Sequence, residues 1–158
     1  MRQDADQFSL VKVPGARLLL VVAPYYSAIT DHLVAGARAA ASAAEATTEH
    51  IIVPGAFEIP GAIALAARNK QYDGFIGLGC VVRGETSHYD YVCGESARGL
   101  MELSVRKRLC IGYGILTVEN LTQAEERADT RRGDKGGEAT RACLAMVALK
   151  RHFAGEPQ

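Results

Sequence analysis

Apolar positions along this chain alternate between two rhythms. Ala16–Val22 (ARLLLVV) is an unbroken apolar run fit for a buried parallel strand. From Ser27 to Glu45 the rhythm becomes helical: Ile29, Leu33, Ala37, Ala40 and Ala44 form a stripe that Val34 and Ala41 share. The small residues of that stretch predict a helix that packs closely. Glu49–Val53 predicts a strand cut off by Pro54-Gly55, and Phe57–Asn69 a helix rich in Ala, Leu and Ile. Gly74–Cys80 (GFIGLGC) predicts a third strand in spite of its glycines. Thr86–Arg108 predicts a long helix, with Tyr89, Val92, Cys93, Ala97, Leu100 and Met101 on the buried stripe. Asp90, Arg98, Glu102 and Arg106 fall on its solvated face. Leu109–Leu116 predicts the fourth strand, and two helices, Leu121–Asp129 and Gly137–Phe153, close the chain. Phe8–Val13 is a candidate extra edge strand; residues 1–7 and 155–158 are expected to fray.

Alternating strands and helices predict an α/β fold, a three-layer αβα sandwich around a doubly wound, four-stranded parallel sheet of the flavodoxin-like kind. Residues 1–158 are expected to form a single domain. In such sheets ligands bind beyond the carboxyl ends of the strands. Four segments are then expected to converge there: residues 23–26, 54–58, 81–88 and 117–120.

Charge and composition narrow the field of functions. Eighteen Lys and Arg balance eighteen Asp and Glu. A neutral chain lacks the field for non-specific grip on nucleic acid or an anionic membrane. Its hydrophobic content, 48%, is enough for a packed core. The longest stretch without a charge is Leu18–Thr30, interrupted by Pro24 and shorter than the roughly 20 residues a bilayer span needs. Residues 1–7 are polar and acidic rather than basic and then apolar, so a cytoplasmic protein is expected. Cys80, Cys93, Cys110 and Cys143 lack metal-knuckle spacing and are expected as reduced, buried thiols. The four histidines show no metal spacing either, and no dinucleotide or P-loop fingerprint is present.

The predicted loops carry the chemistry. Tyr25 or Tyr26, and Phe57, either pack in the core or stack on a planar heterocycle. Glu58 either favours a helix dipole or accepts hydrogen bonds from ligand hydroxyls and ring N–H groups. Arg83-Gly84-Glu85-Thr86-Ser87-His88 leads from a strand into a helix, whose free amides form an anion site. Thr86 or Ser87 caps that helix or holds an anion oxygen. His88, in its first turn, is suited to giving and taking protons near neutral pH. Glu85 must point away from a bound anion or pair with Arg83 or Arg127. The charged run 125–137 is either a solvated surface or the source of one arginine and one lysine for a phosphate.

Three long motifs, Val53-Pro54-Gly55-Ala56-Phe57-Glu58-Ile59-Pro60, Gly79–Val92 (GCVVRGETSHYDYV) and Gly114–Asn120 (GILTVEN), closely resemble the lumazine synthase family, in order and spacing, over about residues 18–153. The resemblance implies a transferase that condenses a pyrimidine diamine with a butanone phosphate in riboflavin biosynthesis, with no metal and no organic cofactor. It implies that Tyr25 stacks on the pyrimidine, where Phe or Trp is more usual. Ala56, Phe57 and Glu58 then line the pyrimidine and take ribityl hydroxyls, while Cys80, Val81 and Val82 form a backbone wall. Glu85 and Thr86 match the phosphate-binding helix start, although Ala or Gln often stands where this chain has Glu85. His88 matches the proton shuttle, Tyr113 a further pocket aromatic, Arg127 the phosphate arginine and Lys135 a lysine near the same substrate. The resemblance further implies a homopentamer, or larger shells, in which Tyr113, Arg127 and Lys135 reach the site of the neighbouring subunit. The small-residue helix Ala35–Ala46 and Leu144 are candidate contact surfaces between subunits. Two other classes stay open on the residues alone: a module that binds a lumazine or flavin without turnover, and a shell-forming structural protein.

Overall fold

The computed structural model describes residues 11–155. Strand β1 (Arg17–Val22) is followed by α1 (Ser27–Ala43), β2 (Thr47–Ile52), a 3₁₀ turn (Ala56–Glu58) that runs into α2 (Ile59–Ala66), and a second 3₁₀ turn (Ala67–Asn69). Then come β3 (Gly74–Val82), α3 (His88–Arg106), β4 (Ile111–Val118), α4 (Leu121–Ala128) and α5 (Lys135–Phe153). The four strands pair in parallel in the order β2-β1-β3-β4. The chain thus moves outward from β1 to β2, then returns across β1 to build β3 and β4. The reversal lies between β1 and β3, and ligands of such sheets bind at the carboxyl edge beside it.

Two apolar clusters flank the sheet. Leu18, Leu20, Ile76, Leu78, Leu116 and Val118 pack against α1, α4 and α5. Leu19, Val21, Phe75 and Ile115 pack against α2 and α3 through Ile59, Ile63, Val92 and Leu100. Alternation along β4 puts Tyr113 and Thr117 on the α3 side with Ile115. The sandwich expected from the alternating rhythm is the one observed.

The glycines of GFIGLGC are places of close approach. A Cβ on Gly74 would lie 2.5 Å from Cys143 Sγ, and one on Gly77 would lie 2.8 Å from Ile59 of α2. Close packing of α1 is also found: a Cβ on Gly136 of α5 would collide with the Leu33 carbonyl oxygen. This corrects one expectation. Leu144 is 1% exposed and Ala37, Ala41 and Ala44 are buried in the same cluster, so Leu144 and this face of α1 pack within the chain, while Ala35, Ala39 and Ala43 are exposed on the other face. Of the candidate strand Phe8–Val13, residues 8–10 lie outside the described residues, and 11–13 are not strand. Strand β2 sits at the sheet edge with most of its residues exposed.

The buried stripe of α3 consists of Val92, Ser96 and Leu100. Met101, expected on it, is 64% exposed. Ser96 takes a place inside because its hydroxyl donates to the Cys93 carbonyl at 3.2 Å, which satisfies it without water. Among the described residues no helix is long and apolar enough to cross a membrane.

Candidate functional site

Residues from three strand ends meet at this reversal. The Ala23 N–H donates to the Leu78 carbonyl at 2.9 Å, which ties the exit of β1 to β3. A Cβ on Gly79 would lie 3.5 Å from Ala23 and 3.8 Å from Ala56, so the 3₁₀ turn that follows β2 sits over the same place. Ala56 is buried beneath that turn, whereas Phe57 is 56% exposed and Glu58 is exposed. Burial of the small residue anchors the turn and leaves the ring and the carboxylate outside. The Glu58 side chain makes no helix cap and folds back towards Gly55. Of the two tyrosines, Tyr25 is the exposed one, edge-on to Tyr26 at 5.0 Å between centroids; Tyr26 packs on the core.

Val81 and Val82, expected in a loop, complete β3, paired with Thr117 and Val118 of β4. Their backbone is therefore a rigid wall, half-buried, at the strand's end. Cys80, beneath them, is buried, and burial pushes its thiol up to about 11. It stays protonated near neutral pH and serves as packing. Helix α3 starts at His88, two residues later than expected. Ser87 occupies the N-cap without a side-chain bond; instead Thr86 Oγ1 accepts from the His88 N–H at 3.4 Å. Glu85, Thr86 and His88 are all exposed at the start of α3, the end of a helix that favours an anion.

Glu85 pairs with neither arginine proposed for it. Arg83 binds Glu119 at 2.9 Å and Asp90 at 3.5 Å. Arg127 donates to the Gln123 carbonyl at 3.1 Å. Among the described residues Glu85 forms no ion pair, which leaves its carboxylate free to turn to solvent.

The remaining candidates lie elsewhere on the chain. Tyr113 is on β4, the edge strand, 47% exposed beside Cys93 and Tyr89; burial, with those neighbours, raises its phenol so that it remains a neutral donor. Tyr89 in turn lies beside Cys93 and Thr117. Arg127 ends α4 and Lys135 opens α5, both in the opposite layer, and Lys135 pairs with Glu138 at 2.7 Å. Among the described residues no hydrogen bond, ion pair or ring contact joins Tyr113, Arg127 or Lys135 to Phe57, Glu58 or His88. Arg127 and Lys135 therefore lie apart from Phe57, Glu58 and His88 within one chain, whereas Tyr113 lies on the α3 side beside Tyr89, the neighbour of His88. A cleft of about 440 Å³ between α1 and β2, lined by Thr30, Asp31, Arg38 and His50 among others, contains none of them.

Cys93 departs from the expectation of four buried thiols, being only half-buried on α3. Iodoacetamide on the native protein is expected to alkylate Cys93 first and to leave Cys80, Cys110 and Cys143 unmodified until unfolding, as followed by peptide mass spectrometry. Early loss of the Cys80 thiol would contradict its burial.

The 6,7-dimethyl-8-ribityllumazine synthase family model matches residues 15–151. A 6,7-dimethyl-8-ribityllumazine synthase of Erythrobacter litoralis is 53% identical over 138 residues, 87% of this chain and 98% of its own length. One from Methylobacterium radiotolerans is 55% identical over 141 residues, 89% of this chain and 86% of its own. One from Methylorubrum populi is 50% identical over 163 aligned positions, covering 99% of this chain and 96% of its own.

Proposed function

Since the chain belongs to the 6,7-dimethyl-8-ribityllumazine synthase family, and is thereby a transferase, we propose that it condenses 5-amino-6-(D-ribitylamino)uracil with 3,4-dihydroxy-2-butanone 4-phosphate. Phosphate and water leave, and the reaction is the penultimate step of riboflavin biosynthesis. One observation carries the reading: a solvent-facing ring and carboxylate, Phe57 and Glu58, sit beside strand ends that lead directly into the His88 helix.

In this reading the pyrimidine stacks on Phe57 and Tyr25, against the Val81–Val82 wall, and Glu58 accepts ribityl hydroxyls. The phosphate rests at the first turn of α3, near Thr86. The 5-amino group attacks the ketone carbonyl, and water leaves to give a Schiff base. Phosphate is then eliminated, the chain rearranges, and the ribityl-bearing amine adds to the remaining carbonyl, from which a second water leaves as the ring closes. His88 carries protons between these steps. Holding both reactants in one crevice contributes several kcal/mol, about the largest single effect, because it removes the cost of their encounter. Tyr113, Arg127 and Lys135 complete the neighbouring subunit's site in a cytoplasmic ring of five subunits; the place of Arg127 and Lys135 in the layer opposite α3 supports that division.

The test is direct: the protein is mixed with both substrates and the fluorescent lumazine is followed. No product would overturn the reading. Arg127→Ala is expected to raise the Michaelis constant for the butanone phosphate about tenfold or more, as loss of a charge-assisted contact to phosphate predicts. An unchanged constant would remove Arg127 from the phosphate site.

A further inference from the structure

The segment that carries Glu85, Thr86 and His88 has almost no packing of its own. Residues 83–88 are all exposed, and a Cβ on Gly84 would meet nothing. Both ends of the segment are instead held by one side chain, Arg83. Its backbone N–H continues the β3–β4 ladder by donating to the Val118 carbonyl at 2.9 Å, which sets Arg83 beside Glu119. Its Nε donates to both Glu119 oxygens, at 3.1 and 2.9 Å. Its Nη1 lies 3.5 Å from Asp90 Oδ1, and its guanidinium carbon is 4.2 Å from the centre of the Tyr89 ring. Asp90 and Tyr89 belong to the first turn of α3.

The anchors are themselves fixed. The Glu119 N–H donates to Gln123 Oε1 at 2.8 Å, and the Gln123 N–H donates to Asn120, the N-cap of α4, at 2.9 Å. Tyr89 lies beside Cys93 and Thr117. One planar cation thus joins the ends of β3 and β4 to the start of α3.

We propose that Arg83 is a positioning residue: through Glu119, Asp90 and Tyr89 it sets where the first-turn amides of α3 and His88 meet the phosphate-bearing substrate. This rests on the function proposed above. Exposed ion pairs add little to global stability, and the Arg83 side chain is 43% exposed. Its influence is on geometry, where a displacement of about 1 Å can cost about a hundredfold in rate. Lysine cannot replace it, since a compact ammonium neither forks nor stacks flat on a ring.

Arg83→Met, Arg83→Lys and Glu119→Gln are compared with the wild type in steady-state kinetics with both substrates, in competition by inorganic phosphate and in thermal unfolding. Arg83→Met is expected to raise the KM for the butanone phosphate and the inhibition constant for inorganic phosphate together, each about tenfold. The KM for the pyrimidine diamine should stay within about twofold and the unfolding temperature within a few degrees. Arg83→Lys should not restore the constants, and Glu119→Gln should move them in the same direction by less. Equal rises in both Michaelis constants with a lowered unfolding temperature would overturn the proposal in favour of a general structural role. Unchanged phosphate constants, or full restoration by lysine, would also overturn it. A wild type that makes no lumazine refutes the functional reading itself, whereas an active wild type with unaltered variants refutes only the role of Arg83.

Discussion

Gly136→Ala is expected to destabilise the protein by about 3 kcal/mol or more, although alanine is the better helix former. A methyl there would collide with the Leu33 carbonyl oxygen and sit 2.7 Å from its carbon and 2.8 Å from its Cα. All three obstacles are backbone atoms of α1, so no side chain can turn away. The two helices must separate, which loosens the contact of Leu33, Ala37, Cys143 and Leu144 in the larger cluster. The propensity gain of about 1 kcal/mol from replacing a helical glycine is too small to compensate. For a chain of this size the unfolding midpoint should fall by about 6–12 °C. Gly61→Ala provides the contrast, because a Cβ at that helical position meets nothing within 4 Å. It should be neutral or slightly stabilising. A midpoint for Gly136→Ala equal to that of Gly61→Ala would contradict the close α1–α5 contact.

That contact was legible in the sequence as a stripe of small residues, and its partner was not. Periodicity reports which face of a helix is buried but not how near the neighbouring backbone comes; the glycines at 136 and 137 lie within a charged run that reads as a solvated turn. Helix ends were displaced for another reason. Helix α1 stops at Ala43 and α3 at Arg106, each followed by a residue in the left-handed region, Glu45 (φ 62°) and Arg108 (φ 55°). Glycine or asparagine usually marks such a place, and here neither stands.

The phase of α3 was legible: Val92 and Leu100 are buried, Tyr89, Cys93 and Ala97 half-buried, and of the expected stripe only Met101 is exposed. Met101 and Val105 follow the helical rhythm, yet both are exposed on the outward face, as is Tyr91. Ser96, which the apolar rhythm does not mark, is buried between Val92 and Leu100. In the candidate site the sequence pointed to the loops at the carboxyl edge, because parallel strands put all their ends on one side. It did not single out Glu119 as the partner of Arg83. The signal was present in register: each is the first residue after one of two adjacent strands that end together at Val82 and Val118.

His88→Ala is expected to lower turnover by about 10²–10⁴-fold and still leave activity above background. The condensation is chemically easy, and the crevice that brings the reactants together remains. Paired with Arg127→Ala, the same variant tests whether a site is shared between chains. His88 opens α3, while Arg127 ends α4 in the opposite layer, engaged with Gln123 of its own chain. In a head-to-tail ring each site takes its His88 from one subunit and its Arg127 from the next. Co-refolding equal amounts of the two variants then gives about one quarter of sites with both residues intact, whatever the number of subunits in the ring. Measured at a butanone phosphate concentration well below the KM of Arg127→Ala, the mixture should recover about a quarter of wild-type activity, far above either variant alone. If both residues served a site within their own chain, no intact site could form. The mixture would then give only the mean of the two variants, and the assignment of Arg127 to a neighbour's site would fall.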